Sequence, residues 1–371
     1  MRLSILLACC ILITSCHVGK YVVYNFADID DYKKFHDRTL EKSEKPFYFF
    51  DGQQQSISLN MEKYGVQSKE DLNRINAEHK TVAFLIIRND TLLYDWYADK
   101  YDRSTTLTSF SMAKSYVSTL IGIAIDEGYI KSVKEPITNY ITDFRNPGFE
   151  IITIEHVLNM RTGIFYKENY YSPFGNVAIG YYGRNLDRHL QKIKVKEDPD
   201  KRFDYISIAT QILGVILEKA TGKTLSQYCE EKLWMKLGTE YDATWSLDRK
   251  EGREKAFCCL NAKAIDYAKI GRLYLNGGNW DGEQVVSENW VNASTKKSSD
   301  SKDMFYAYQW WHYPKYDGGL AGKNVDFYMQ GHMGQYVYMS PEKNIILVRL
   351  GKGRAGVNWN GFLSDLADRM K

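Results

Sequence analysis

The sequence is poor in the residues that staple or mark many small functional modules. Six cysteines occur in 371 residues. Only Cys229, Cys258 and Cys259 lie beyond Cys16, and three cannot all pair. A chain of this size can bury a core without staples. Cys-x-x-Cys spacing and a neighbouring histidine pair are both missing, which argues against a structural zinc site. Adjacent Cys258 and Cys259 can bond only with strain, so all three are expected to be buried apolar side chains. No Gly-x-Ser-x-Gly elbow is present, which speaks against an α/β-hydrolase. No His-Glu-x-x-His is present either, which speaks against a zincin. Gly222-Lys223-Thr224 imitates the end of a phosphate loop, but Leu217 stands where the loop needs glycine. Net charge is only +3, with both signs interspersed. Without a concentrated basic face, nucleic-acid binding is excluded. There are no internal repeats and no low-complexity tract.

What is present begins at the amino terminus. Arg2 precedes an apolar run from Leu3 to Ile13, followed by Ile13-Thr14-Ser15-Cys16. One positive charge, a short apolar stretch and small residues before a cleavage point form an export signal. The run is too short to span a bilayer, which needs about 20 apolar residues. Ile-Thr-Ser-Cys also resembles a bacterial lipobox, which makes Cys16 the candidate lipidated first residue. An ordinary cleaved signal and a short membrane anchor are the other readings. The expectation is an exported protein, lipid-anchored at an envelope membrane and facing the periplasm or outside.

Residues 17–75 read as a polar tether and N-terminal extension, and 76–371 as the folded domain. Thr81–Ile87 and Leu92–Tyr97 are β-rich runs around Asn89-Asp90, which suits a hairpin turn. A helix follows, with Thr108 or Ser109 as cap, Val117, Leu120, Ile121, Ala124 and Ile125 at helical spacing, and Gly128 as stop. From Pro136 to about Ala293 the pattern is mostly helical. Ile154–Met160, Ala209–Ala220 (closed by Gly222) and Ala264–Asn276 (closed by Gly277-Gly278) are its clearest members. Ser294–Asp303 reads as a surface loop. Strands return at Val325–Gln330, Gln335–Met339 and Ile345–Leu350, before a final amphipathic helix carrying Phe362, Leu363, Leu366 and Met370. The fold class is therefore α/β of the α+β type. Its antiparallel sheet is built from both chain ends (about 76–135 and 300–371), flanked by helices, with an inserted mostly helical part at 136–299.

Three short motifs occur in order: Ser111-Met112-Ala113-Lys114, Tyr205-Ile206-Ser207 and His332-Met333-Gly334. Each is weak alone. Ser-x-x-Lys recurs at Ser294, Ser299 and Ser340, and Tyr-x-Ser or Tyr-x-Asn at Tyr170 and Tyr274. Context separates them, because only Ser111 falls in the first turn of a strongly patterned helix. There Lys114 is three residues on, hence on the same face, and the helix N-terminus offers positive potential and N–H groups to an oxyanion. A serine hydroxyl needs a base. A lysine normally titrates near pH 10.4, so it must be desolvated to serve. Lys114 or Tyr205 can fill that role, and Tyr205 can instead relay the proton to the leaving group. Tyr170 lies in an aromatic loop and is a substrate contact at most; Tyr274 fits core packing. Gly334 would let a substrate approach the strand backbone, and the Gln335 N–H would join that of Ser111 as an oxyanion pair. His332 would line the pocket edge.

With these motifs, the chain resembles the class C β-lactamase, DD-peptidase and esterase superfamily, which also includes 6-aminohexanoate-dimer hydrolases. The resemblance runs from about Thr81 to Leu350. It includes Ile154-Glu155-His156-Val157-Leu158 leading to Arg161-Thr162-Gly163-Ile164, and Leu213-Gly214-Val215-Ile216-Leu217-Glu218 leading to Thr221-Gly222-Lys223. A third stretch runs from Asp266 through Leu273 to Gly277-Gly278. It implies a β-lactamase/transpeptidase-like fold with the site between a sheet domain and a helical domain. It also implies an acyl-enzyme on Ser111, with no metal or cofactor. Two departures bear on substrate. Ser207 stands where β-lactamases carry Asn. Met333 removes a hydroxyl that helps hold a substrate carboxylate in the Lys-Ser/Thr-Gly motif, although His332 resembles a variant found in some DD-peptidases. A small ester or amide is the expected substrate, ahead of β-lactams or D-Ala-D-Ala. A non-catalytic binding or sensing protein on the same fold is the alternative. Specificity is expected to reside in the loops Phe165–Tyr182 and Tyr306–Tyr316.

Overall fold

The computed structural model describes residues 17–24, 27–57, 59–295, 305–313 and 325–370. Cys16 and the export signal lie outside the described residues, as do 296–304, most of the expected surface loop. The central element is an eight-stranded sheet. In order across it run Tyr306–Ala307, Trp310–Tyr313, Asp326–Gly331, Gln335–Ser340, Ile345–Gly351, Thr81–Arg88, Thr91–Tyr97 and Phe50–Asp51. All neighbours are antiparallel except the last pair. Both chain ends thus contribute, as the fold class required. Thr81–Arg88 and Thr91–Tyr97 are joined by Asn89 and Asp90, both at positive φ (50° and 58°), which a tight two-residue hairpin demands.

Strands in the middle of this sheet are buried on both faces, so they read as continuous apolar runs. From Ala83 to Ile87 the pleat divides the side chains between two cores. Ala83, Leu85 and Ile87 join the larger core, while Phe84 and Ile86 join a smaller one. The smaller core is closed by helices Lys69–Glu78 and Trp359–Arg369, the latter through Trp359, Phe362, Leu363 and Leu366. On the opposite face lies helix Ala264–Leu275, which supplies Ile265, Ala268 and Leu273 to the larger core. Full burial of an Ile, Leu or Phe side chain in these cores contributes about 1.5–3 kcal/mol. Among the described residues no helix is long and apolar enough to cross a membrane.

The helical part is organised by two adjacent helices, Ala113–Asp126 and Ser207–Thr221, which pack on one another. The second ends at Gly222 in the left-handed region (φ 71°), the expected stop. A second sheet orders Asp37–Leu40, Ala243–Ser246, Leu260–Ala262 and Leu107–Thr108.

Several expectations need correcting. The segment 17–75 is not a free tether. Asp37–Leu40 pairs with Ala243–Ser246, Phe50–Asp51 adds to the main sheet, and helix Lys69–Glu78 carries a Ser68/Asp71 capping box. Strands of two and four residues are too short to show periodicity, which is why the sequence hides them. Ser294 lies buried in helix Glu288–Thr295, its hydroxyl donating to the Trp290 carbonyl at 2.8 Å. The stretch from Tyr306 holds two strands through Tyr313 rather than a loop, and 314–316 lie outside the described residues. Cys258 and Cys259 form a disulfide and are not free thiols, whereas Cys229 is a free, buried cysteine.

Candidate active site

The position of Ser111, the candidate nucleophile, follows from the second sheet. Leu107–Thr108 pairs with Leu260–Ala262, and the Ser109 N–H donates to the Leu260 carbonyl at 2.9 Å. The buried Tyr267 hydroxyl lies 2.7 Å from the Leu107 carbonyl and 2.8 Å from that of Leu260. Phe110 then takes φ +45°, a strained setting for a bulky residue. Its buried ring is held edge-on to His332, 5.7 Å between centroids. After this corner Ser111 sits in a single 3-10 turn, Phe110–Met112, that runs straight into helix Ala113–Asp126.

Lys114 lies one turn on, and it is 1% exposed. Its Nζ is 3.0 Å from Ser111 Oγ, 2.7 Å from the Phe257 carbonyl and 3.4 Å from Ser207 Oγ. The rings of Tyr205 and Phe257 close the remaining space, 5.2 and 5.8 Å from Nζ to their centroids. Burial lowers the ammonium's pKa to about 8, against the opposing pull of Glu168. A neutral amine here gives two hydrogens to Phe257 and Ser207 and keeps its lone pair for the serine proton.

Tyr205 directly precedes helix Ser207–Thr221. Its loop is fastened by the Asp204 N–H on the Met160 carbonyl (2.8 Å) and by the Arg161–Asp200 ion pair (2.8 Å). Burial pushes the Tyr205 phenol well above its usual range, and a hydrogen bond with Ser111 only partly offsets this. Tyr205 is therefore a phenol beside Ser111, not a phenolate.

The structure also brings in a residue that the sequence reading missed. Glu168 accepts from the Ser207 hydroxyl at 2.5 Å, from the Ser207 N–H at 2.9 Å and from the Tyr170 hydroxyl at 2.9 Å. It is the single carboxylate in the loop Phe165–Tyr182, the one signal that could have found it. Tyr170 in turn stacks flat on His332, with centroids 4.9 Å apart and planes 2° from parallel.

His332, Met333 and Gly334 form the turn between strands Asp326–Gly331 and Gln335–Ser340, not a strand segment. Burial first, then Arg354, lowers the His332 pKa, so the imidazole is neutral at neutral pH. Met333 (φ 63°) and Gly334 (φ 82°) are both left-handed. The space beside Gly334 belongs to Arg349 rather than to a substrate, since a Cβ there would lie 2.4 Å from its Nη1. Arg349 is fully buried, a charge inside an otherwise apolar strand, and this was the overlooked signal for it. It donates to the carbonyls of Gly334 (2.5 Å), His79 (2.9 Å) and Gly353 (2.9 Å). Gln335 braces the same turn from its other side. Its amide nitrogen donates to the His332 carbonyl at 2.9 Å and its amide oxygen accepts from the Gly351 N–H at 2.8 Å. Gly331 lets this hairpin touch the nucleophile corner, where a Cβ would meet the Ser109 carbonyl oxygen at 2.3 Å.

A pocket opens in front of Ser111, lined chiefly by Phe110, Tyr170, Tyr181, Tyr182, Phe257 and His332. None of the described residues lining it is Lys, Arg, Asp or Glu. Tyr21 closes one side. It comes from helix His17–Tyr24, and its hydroxyl donates to the Tyr170 carbonyl at 3.3 Å. Among the described residues no group of three His, Cys, Asp or Glu side chains is placed to hold a metal ion.

A family model described as Beta-lactamase matches residues 70–357. Among curated proteins, the 6-aminohexanoate-dimer hydrolase of Paenarthrobacter ureafaciens is 27% identical over 301 residues, covering 76% of this chain and 74% of its own. A putative D-alanyl-D-alanine carboxypeptidase of Salmonella agona is 27% identical over 194 residues, 46% of this chain and 44% of its own. Among solved structures, a putative 6-aminohexanoate-dimer hydrolase from Bacillus anthracis superposes with TM-score 0.72 at 20% identity, covering 90% of each chain. The hydrolase EstCE1, with promiscuous acyltransferase activity, reaches 0.63 at 13% identity, covering 81% of this chain and 96% of its own. The penicillin-binding protein of Bacillus halodurans gives 0.61 at 15% identity, covering 79% and 97%.

Proposed function

The chain belongs to the beta-lactamase family, and on that premise we propose that it is a serine hydrolase that cleaves small esters or amides through an acyl-enzyme on Ser111. The observation that carries this reading is the buried Lys114 amine, 3.0 Å from Ser111 Oγ, with its pKa lowered to about 8. A lysine so placed is a general base within a few pH units of neutrality.

Ser111 Oγ attacks the substrate carbonyl while its proton passes to Lys114 Nζ. The developing oxyanion is met by the N–H groups of Ser111 and Gln335. Tyr205, a phenol hydrogen-bonded to Ser111, returns the proton from the Lys114 side to the leaving oxygen or nitrogen. Water then repeats the sequence on the acyl-enzyme, with Lys114 again taking the proton. Of the two candidates for the base, the geometry favours Lys114, because burial keeps the Tyr205 proton on.

The pocket supports the substrate class. Among the described residues its lining is largely aromatic and includes no Lys or Arg, which favours an uncharged acyl group over a D-Ala-D-Ala terminus. Tyr170 and His332 line it as substrate contacts.

The test is intact-mass analysis after exposure to a fluorophosphonate, with Ser111→Ala as control. One adduct on the wild type, absent in the variant, is the expected result, and ester and amide panels then define the substrate. A folded wild type that takes no adduct would sink the catalytic reading and leave a binding or sensing protein.

A further inference from the structure

Ser207 presents a problem of hydrogen-bond direction. Its hydroxyl has one hydrogen and sits 3.4 Å from Lys114 Nζ. A neutral Lys114 has a single lone pair, which the proposed chemistry reserves for Ser111. If Ser207 turned its hydrogen toward Nζ, it would occupy that lone pair and idle the base. Glu168 removes the conflict. Its Oε1 takes the Ser207 hydrogen at 2.5 Å, while its Oε2 takes the Ser207 N–H at 2.9 Å. The Ser207 oxygen is then left as an acceptor, the only role compatible with a free lone pair on Lys114.

We propose that Glu168 is a positioning residue of the reaction, acting through Ser207 to keep the lone pair of Lys114 directed at Ser111. This rests on the acyl-enzyme reading above. It also accounts for the tolerance of serine at 207: a hydroxyl serves because a carboxylate fixes its direction. The Tyr170 hydroxyl, donating to the same Oε1 at 2.9 Å, ties the carboxylate to the pocket wall.

Charge adds a second consequence. The groups facing Lys114 are the hydroxyls of Ser111 and Ser207, the Phe257 carbonyl and the Tyr205 and Phe257 rings. Tyr205 stays a phenol, so Glu168 is the neighbour whose negative charge holds the ammonium form up against burial. Removing that charge makes Lys114 easier to deprotonate.

Glutamine at 168 is a sharp probe because it has one acceptor oxygen where three donors converge. With the amide oxygen on the Ser207 N–H, the NH₂ group faces the two hydroxyls, and the Ser207 hydrogen is free to turn to Lys114. The rate of fluorophosphonate labelling is followed against pH for wild type, Glu168→Gln, Ser207→Ala and the double variant. Circular dichroism and Tm check that each is folded. In Glu168→Gln the plateau rate is expected to fall about 10- to 100-fold, while the acidic limb moves down by about 1 pH unit. Ser207→Ala in that background takes away the competing hydroxyl, so part of the loss is recovered. A purely structural role for Glu168 would leave the limb in place and give additive losses, and either result would overturn the proposal. Failure of the wild type to label at any pH would instead overturn the acyl-enzyme reading and this proposal with it.

Discussion

Ser111, Lys114 and Tyr205 stand at the starts of the two helices that pack together in the core, Ala113–Asp126 and Ser207–Thr221, whereas Glu168, Tyr170 and Tyr171 stand on the loop between the short strand Ile164–Phe165 and helix Asn176–Tyr182. In the first wall of the cleft Lys114 is buried and Ser111 and Tyr205 are half-buried, and the wall is fixed by backbone bonds from several elements. The second is partly exposed, with Tyr171 and Phe174 at 78% and 76%, and is tied down mainly by side chains: Tyr170 on His332, Tyr170 on Glu168, Tyr21 on Tyr170. A proton transfer needs its atoms held to a fraction of an ångström, which favours long packed elements. Substrate choice tolerates a softer frame and is commonly placed on loops.

Breaking the rigid wall is expected to produce the largest effect. Lys114→Met removes the base and should lower kcat for a model ester about 10³-fold, read by steady-state kinetics on folded protein. The same residue sets the pH profile. With its pKa lowered to about 8, Lys114 is protonated and inactive below that pH and neutral above it. The wild-type kcat/KM should therefore rise as pH increases through about 8, and the residual activity of the methionine variant should lose that rise. A profile that falls across this range would refute Lys114 as the base.

A smaller effect is expected where the two walls meet. Gly331→Ala puts a methyl group 2.3 Å from the Ser109 carbonyl oxygen, which must push the hairpin off the nucleophile corner. Displacement of the Gln335 N–H by about 1 Å should cost about 100-fold in kcat, with KM changed less, since the pocket is built largely by other residues. Unchanged kcat in Gly331→Ala would remove Gln335 from the oxyanion role.

The smallest effect belongs to the soft wall. Tyr171→Ser and Phe174→Ser should leave the labelling rate of Ser111 by a small fluorophosphonate within about twofold, while KM for longer acyl esters rises several-fold from lost apolar contact. Equal losses with small and large probes would mean that Tyr171 and Phe174, and not Glu168 alone on this loop, position the chemistry, and the comparison between the walls would dissolve.

How much of this was legible beforehand divides along the same line. The helix carrying Ser111 and Lys114, the strand pair around Asn89-Asp90 and the helix closed by Gly222 all lie where their periodicity and stop signals put them. Each is a local pattern several residues long, backed by burial. Tyr205 was separable from Tyr170 and Tyr274 because only it precedes a helix. The strands Asp37–Leu40 and Phe50–Asp51 were missed because neither is long enough to show alternation, and their pairing partners lie far along the chain. Glu168 was passed over because one acid in an aromatic loop has no spacing to mark it. Arg349 was visible as a charge in an apolar strand, yet only its backbone acceptors reveal why it is tolerated.

The sequence by itself determined the α+β class, the order of the three motifs and the candidacy of Ser111 ahead of its three look-alikes, because helix and strand periods are properties of neighbouring residues. Only the tertiary structure decided which chemical state those residues occupy. The depth at which Lys114 is buried, the carboxylate placed behind Ser207 and the arginine beneath the Gly334 turn all depend on segments distant in the chain that come together in the fold. Desolvation and hydrogen-bond direction are set by what lies within a few ångströms, and a linear sequence does not record that.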